Sequence, residues 1–392
     1  MNKNLKKKRV LNFIRESGET SRIEISKNLS IDKKTVSVIV DQLLQDALIV
    51  PAGYRDSKAG RRQELMRING SHSNFIGLDL GATHIIGIIT DLNGVLLDRV
   101  FFEIRPGISV QLILEQLSRI TRQLIDSKKK TGTISAIGVC TPGFINPENG
   151  ISIVAENIPG WHEINMKQLF HDDFKLPLYI EDCSRAYGIA EKWIGKGRNV
   201  ENFLVLDIGY GIGMAIFVNG QIYSGSCYRS GEIGHTMAVR DGHSCTCGKN
   251  GCLETVASGK GLARLAREGM KQGKSSVLNQ LTHGNEESVT AQDVALAASM
   301  NDEFSKDLLN QAGSYLGEAL ANAVNLINPS KVIIGGGLIG AGKMFIDEIQ
   351  SSLIKNTMSG LLDDLEFTLS EAGVDGSAYG CAFLAMDHIF SA

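Results

Sequence analysis

The densest group of metal-binding side chains lies between residues 232 and 254. Glu232-Ile233-Gly234-His235 is followed by Cys245-Thr246-Cys247-Gly248-Lys249-Asn250-Gly251-Cys252-Leu253-Glu254. One imidazole and three thiols within eighteen residues make the Cys3His donor set of a closed structural zinc site. Gly248 and Gly251 let the loop fold tightly around an ion, and His243 is an alternative fourth donor. Zn2+ held there would fix the flanking carboxylates Glu232 and Glu254, because metal binding supplies folding energy to a loop that cannot order itself. Further polar groups come from Asn157, in Glu156-Asn157-Ile158-Pro159-Gly160-Trp161, and from the pair Glu181-Asp182 after an apolar strand, 178–180. Carboxylates and an amide at strand ends suit sugar hydroxyls, since each can accept or exchange several hydrogen bonds. Taken singly, each is as readily a helix cap or a solvated surface group; only joint placement in a cleft gives them this chemistry.

Such a cleft needs elements to build it. Phe75–Leu80 reads as a strand ending in Asp79-Leu80-Gly81-Ala82-Thr83, with a second strand at Ile85–Thr90 and a helix at Gln111–Ser127. Strand Ile134–Val139 follows. The order repeats with strand Asn202–Asp207, a glycine-rich turn and strand Met214–Val218, and a buried strand at Lys331–Ile334 precedes Gly335-Gly336-Gly337. Two strand–turn–strand units, each followed by helices, predict an α/β fold of two similar lobes. Ligands in such folds bind where strand ends and glycine turns meet.

The first seventy residues have a different texture. The whole chain of 392 residues has 40 basic and 43 acidic residues, a net charge of −3. Residues 1–70 hold 15 basic and 8 acidic residues, a net +7, which leaves −10 for residues 71–392. Only 4 of the 43 glycines fall in this basic segment. Charge split in this way points to a module that meets a polyanion, joined to a body that does not. Leu5, Val10, Leu11 and Ile14 form an apolar stripe ended by Gly18. Ser21 and Glu24 have capping-box spacing and open a helix expected to bury Ile23, Ile25 and Leu29. Ser30 or Asp32 caps a third helix with Val36, Ile39, Val40, Leu43 and Leu44 inward and Lys33, Lys34, Thr35 and Ser37 exposed on its first turn. Leu48–Val50 and Gln63–Ile68 then frame a hairpin whose tip, 53–62, carries Arg55, Lys58, Arg61 and Arg62. Three helices and a basic hairpin describe a winged helix-turn-helix, with Lys33, Lys34, Thr35 and Ser37 at the major groove and the wing on the backbone or a minor groove. A small docking module with merely solvated basic residues is the bland alternative.

Composition excludes several classes. A hydrophobic fraction of 43% with 21% charged residues is that of a globular chain rather than a disordered one. No apolar run reaches the ~18 residues of a membrane span. The basic N-terminus lacks the apolar run of a signal peptide. Seven cysteines, three of them crowded into one loop, suit metal binding in a reducing cytoplasm better than a disulfide framework.

With these residues in place, the chain resembles the ROK family (repressors, open reading frames and kinases), in particular its transcriptional-repressor branch with the xylose and N-acetylglucosamine repressors. The resemblance spans the chain and rests on Glu232-Ile233-Gly234-His235 with Cys245, Cys247 and Cys252, and on the segment from Ser21 through Ser37 to Gly60-Arg61-Arg62. It implies a winged helix-turn-helix over residues 1–70 and a two-lobed actin-like, ribonuclease H-like sugar-binding domain over 71–392, with a zinc loop at 235–252. It implies sugar contacts from Asn157, Asp182, Glu232, His235 and Glu254, to which the sequence adds Glu181. Asp182 matches the kinases' catalytic base, and Asp79 and Thr83 match their first phosphate loop. The departures point away from phosphoryl transfer. Where the kinases read Asp-x-Gly-Gly-Thr-Lys, this chain has Asp79-Leu80-Gly81-Ala82-Thr83-His84. The second loop, Gly209-Tyr210-Gly211-Ile212-Gly213-Met214, places Tyr210 and Met214 where phosphate cradles need glycine and open backbone. Asp79, Gly81, Thr83, Gly209 and Gly211 are then remnants of phosphate loops, and Glu181 replaces the asparagine that usually precedes the base. The expected protein is a cytoplasmic, dimeric or dimer-of-dimers regulator of carbohydrate genes that binds operator DNA and a small sugar. An active ATP-dependent sugar kinase with an appended DNA-binding domain remains the alternative, and a sugar-transport protein remains open as the signal in place of free sugar.

Overall fold

The computed structural model describes residues 3–57, 60–105, 107–127 and 129–391. Helix α1 (Lys3–Ser17) stops at Gly18, whose φ of +73° is open to glycine at little cost. After the two-residue strand β1 (Thr20–Ser21), Ser21 caps α2 (Arg22–Leu29) in a full capping box with Glu24. Of the two candidate caps for α3 (Lys33–Gln45), Asp32 takes the role, accepting the Thr35 N–H at 2.8 Å. Ser30 instead closes α2 in the left-handed region. Val36, Ile39, Val40 and Leu43 face inward. Ile23 does not: it is 51% exposed. Ile23 and Ile25 are two positions apart and so fall on opposite faces of a helix, which can bury only one of them.

The hairpin differs from expectation in length. Strands β2 (Ile49–Ser57) and β3 (Gly60–Ile68) pair from Ile49 opposite Ile68 out to Ser57 opposite Gly60. The span expected as a loop is therefore mostly ladder. Register shifts at Pro51/Gly53 and Arg55/Ser57 absorb the irregularity, with Gly53 at φ +103°. Lys58 and the side chain of Arg61 lie outside the described residues.

The body starts with the antiparallel meander β4 (Ser73–Leu80), β5 (His84–Asp91) and β6 (Leu96–Glu103). Helix α4 (Val110–Ile125), strand β7 (Thr133–Thr141), the small sheet β8–β10 (Phe144–Asn146, Ile151–Val154, His162–Asn165), α5 (Met166–Phe174), β11 (Leu178–Asp182) and α6 (Cys183–Trp193) follow. The five-stranded sheet runs β11-β7-β4-β5-β6, with β7 and β11 parallel to β4. The pattern then recurs. The meander β12 (Phe203–Ile208), β13 (Ile212–Val218) and β14 (Gln221–Ile222) is extended by β15 (Lys331–Gly335) and β16 (Glu366–Leu369), in the order β14-β13-β12-β15-β16. Both sheets have one topology, so the two-lobed α/β expectation holds. Between β14 and β16 lie α7 (Glu254–Ala257), α8 (Gly259–Lys271), α9 (Leu278–Leu281), α10 (Ala291–Ser299), α11 (Glu303–Ile327) and α12 (Lys343–Asn356), whose apolar faces cover the second sheet around Leu316, Leu320 and Ile349.

Two helices join the lobes. The last, α13 (Gly376–Ser391), packs on the first sheet so closely that a Cβ on Gly138 would sit 1.9 Å from the Cys381 carbonyl oxygen. Helix α6 meets the second sheet in the same way, Gly188 against Ala215. The basic module docks on these two helices rather than hanging from a linker. The Arg15 guanidinium lies 4.1 Å above the Trp193 ring and 5.5 Å from Phe390. Asn12 donates to the Phe390 carbonyl at 3.4 Å. One apolar cluster contains Ile14 and Ile39 of the module together with Phe383 and Phe390. Among the described residues no helix is long and apolar enough to cross a membrane.

Candidate functional site

Asp182 ends β11 and caps α6, so strand and helix fix it from both sides. Its Oδ1 accepts the Ser184 and Arg185 N–H groups at 3.0 Å each. Burial raises its pKa above the ordinary carboxylate value, against the pull of Arg185. Glu181 does not share this outlook. Its Oε1 accepts Arg185 Nε and the Asp182 N–H, both at 2.8 Å, and the residue is buried. It therefore lies beneath the cleft as the partner of Arg185, and its negative charge is matched rather than added to the site. Arg185, which the sequence reading missed, is 1% exposed and also donates to the Ser230 carbonyl at 3.2 Å.

Glu232 faces Asp182 and Arg185 from the second lobe. Its carboxyl is pushed up to about 7 by burial, with Asp182, Glu156 and Glu254 adding to the shift and Arg185 opposing it. Glu254 is buried at the start of α7, where its Oε2 accepts the Ile212 N–H at 3.3 Å. Gly211 leaves room for it, since a Cβ there would be 2.7 Å from that oxygen and 3.9 Å from Asn157 Nδ2. Asn157 Oδ1 accepts from Lys260 Nζ at 3.3 Å. Asn157 and Asp182 of the first lobe thus lie near Glu232, His235 and Glu254 of the second.

His235 has a different neighbour on each side. Nδ1 lies 3.4 Å from Cys245 Sγ, and Nε2 lies 3.9 Å from both Glu156 and Glu232 carboxylate oxygens. The donor atoms of His235, Cys245, Cys247 and Cys252 all lie within 4.8 Å of one another. His243 turns away, 3.8 Å from Glu268. Three sulfurs and one imidazole nitrogen at this spacing fit a tetrahedral ion. If Nδ1 ligates a metal, Nε2 carries the proton and donates into the cleft, the outer bond that fixes a metal-ligating imidazole.

Asp79 and Asp207 end the first strand of each lobe, both in the pattern Asp-x-Gly. Asp207 was not singled out from sequence, although this repeat could have revealed it. Burial pushes its carboxyl up to about 7; Ser184, donating at 3.1 Å, opposes that, and the charges of Asp79 and Asp182 reinforce it. Asp79 accepts from Cys140 on Oδ1 at 3.3 Å and pairs with His84 on Oδ2 at 3.3 Å. Burial disfavours the charged His84 ring, yet Asp79 raises its pKa above the ordinary histidine value. Thr83 Oγ1 bonds His84 Nδ1 at 3.2 Å. The loop residues expected around phosphates are therefore bonded to each other, with Gly81 packed beside the His84 ring, Tyr210 42% exposed and Gly209 in open space. Ala82 sits in the first-loop turn and Met214 is buried in β13.

On the module, Lys33 and Lys34 are exposed, and Thr35 and Ser37 are half-buried. Arg55 pairs with Glu24 and Arg62 with Asp56, at 2.8 and 2.9 Å.

The ROK family model matches residues 75–388. The chain is 28% identical over 394 residues to a xylose repressor of Caldicellulosiruptor bescii, covering 99% of this chain and 97% of that protein. It is 32% identical over 312 residues to a glucokinase of Halalkalibacterium halodurans, covering 79% of this chain and 94% of that one. Among solved structures it is similar to a ROK family transcriptional regulator described as a homologue of the E. coli MLC protein, with a TM-score of 0.84, 25% identity, and coverage of 99% of this chain and 97% of that one.

Proposed function

The chain belongs to the ROK family, and from that premise we propose that it is a sugar-responsive transcriptional repressor of carbohydrate-utilisation genes. The observation that carries this reading is coverage. The repressor aligns with 99% of the chain, basic module included, whereas the glucokinase accounts for 79%. In this reading residues 1–70 bind operator DNA through Lys33, Lys34, Thr35, Ser37, Arg55 and the wing, and residues 71–392 bind the effector. Two protomers in the cytoplasm read a palindrome. Asn157, Asp182, Glu232, His235 and Glu254 take the sugar hydroxyls, and the His235/Cys245/Cys247/Cys252 cluster holds structural zinc. A sugar that prefers one lobe arrangement shifts the placement of the module, because only unequal binding to two states moves an equilibrium. A coupling of ~1–3 kcal/mol gives roughly 5–150-fold relief.

Fluorescence anisotropy with a labelled duplex from the chain's own upstream region tests this, at moderate salt and with a panel of xylose, glucose and N-acetylglucosamine. Binding that one sugar weakens is the expected result; no binding to the duplex overturns the reading. Operator binding that no sugar relieves would move the signal to a protein partner. The kinase reading rests on Asp182 at the position of the base, with Asp79 and Thr83 at the first phosphate loop. ADP release at about 1 s⁻¹ or faster with any of these sugars would favour it.

A further inference from the structure

Four elements converge on the floor of the cleft, and each brings a metal-ligating side chain. Asp79 and Cys140 are neighbours across β4 and β7. Cys183 opens α6 next to Asp182, and Cys381 lies in α13, packed with Cys140, Cys183 and Ala186. The donor atoms of Asp79, Cys140 and Cys183 all lie within 4.8 Å of one another. None of these cysteines takes part in the His235 cluster, and only Cys183, which follows Asp182 in the chain, adjoins a proposed sugar group.

We infer that Asp79, Cys140 and Cys183, with Cys381 as a fourth donor, form a second metal site that takes a thiophilic divalent cation of the zinc class. Sulfur donors with one carboxylate suit such an ion, while Mg2+ and Ca2+ call for oxygen-only shells. Zn–S bonds of about 2.3 Å in a tetrahedron set sulfurs about 3.8 Å apart, so Asp79, Cys140 and Cys183 need close by only about 1 Å, with Cys381 packed beside them. The carboxylate is already oriented for the task. Asp79 turns Oδ1 to Cys140 and has Oδ2 held by His84 Nε2, the outer bond that ligating carboxylates carry. Binding is ligand exchange: the thiols release their protons to buffer and no electron moves. An ion there ties β4 and β7 to the starting turn of α6 and to α13, the two helices that join the lobes. It therefore fixes the position of Asp182. The inference is independent of the repressor reading.

The test uses the full chain, stripped of metal, reduced with a phosphine and titrated anaerobically with Co2+ while the sulfur-to-cobalt charge-transfer band is followed. Two equivalents are expected, one lost in Cys247→Ser and the other in Cys140→Ala or Cys183→Ala. Cys183 is half-buried at a helix start, so its variant carries the test where Cys140→Ala does not fold. His84→Gln should weaken only the second equivalent, by about 10–100-fold. Saturation at a single equivalent that Cys247→Ser abolishes would overturn the inference. So would a second equivalent that survives both Cys140→Ala and Cys183→Ala.

Discussion

Replacing Arg185 by methionine separates two views of the cleft floor. Arg185 is 1% exposed, bonds Glu181 at 2.8 Å and has an Nη2 with no partner among the described residues. If it were only filling space, methionine would keep most of the volume and the loss would be two hydrogen bonds, to Glu181 and the Ser230 carbonyl, about 2 kcal/mol in all. If it is the counter-ion for Glu181 and Asp182, its removal leaves a buried carboxylate unpaired, at about 3–5 kcal/mol. Urea denaturation followed by circular dichroism reads the difference. The pH dependence gives a second handle. Burial already raises the Glu181 pKa in the fold despite Arg185. Without the cation it rises further, and a raised carboxyl costs stability above its folded pKa and nothing below its unfolded one. The deficit of Arg185→Met should therefore shrink as pH falls from 7 towards the ordinary carboxylate range. Adding Glu181→Met should restore stability to near that of the parent, since apolar replacement of a whole buried pair is often neutral or stabilising. A single-variant cost of about 2 kcal/mol or less that does not change with pH would refute the counter-ion argument.

Lys33→Ala with Lys34→Ala should weaken operator binding and flatten its salt dependence by roughly 0.9 in log–log slope per lost phosphate contact, read by anisotropy across salt concentrations; an unchanged slope removes the third helix from the interface. Sugar affinity should rise from about pH 6 to about pH 8, as the Glu232 carboxyl ionises near 7 and becomes a full acceptor. Isothermal titration of Glu232→Gln should show that dependence gone. Gly138→Ala should cost more than about 2 kcal/mol in a thermal melt, because its Cβ would meet the Cys381 carbonyl at 1.9 Å and neither backbone can yield cheaply.

Local chemistry was legible in the sequence. The Ser21–Glu24 box, the Cys245–Cys252 loop and the repeated strand–turn–strand units all depend on residues close in the chain, and the structure has each of them in place. What depends on sheet register and helix crossing was not. Glu181 and Asp182 look equivalent in sequence, but alternation along β11 turns one into the packing and the other to the cleft mouth. Arg185 reads as an ordinary helical arginine until α6 is placed between two sheets. Cys140, Cys183 and Cys381 are far apart in the chain; the first two meet because β11 pairs with β7, and Cys381 joins them because α13 returns to the first sheet. The wing's length depended on ladder pairing across Gly53, which a turn-forming residue disguised.

Helix α6 is capped by Asp182 and ends at Trp193, under the Arg15 guanidinium. Its eleven residues span about 16 Å. A tilt of about 5° about the Asp182 end carries the tryptophan about 1.4 Å, the size of shift that switching helices make. Arg15 is wedged between Trp193 and Phe390, so such a swing has no slack to vanish into. In the repressor reading the helix would act as a lever, with its fulcrum at the carboxylate and its load at the first helix of the basic module. A substitution that softens its middle would uncouple the ends without touching either binding surface.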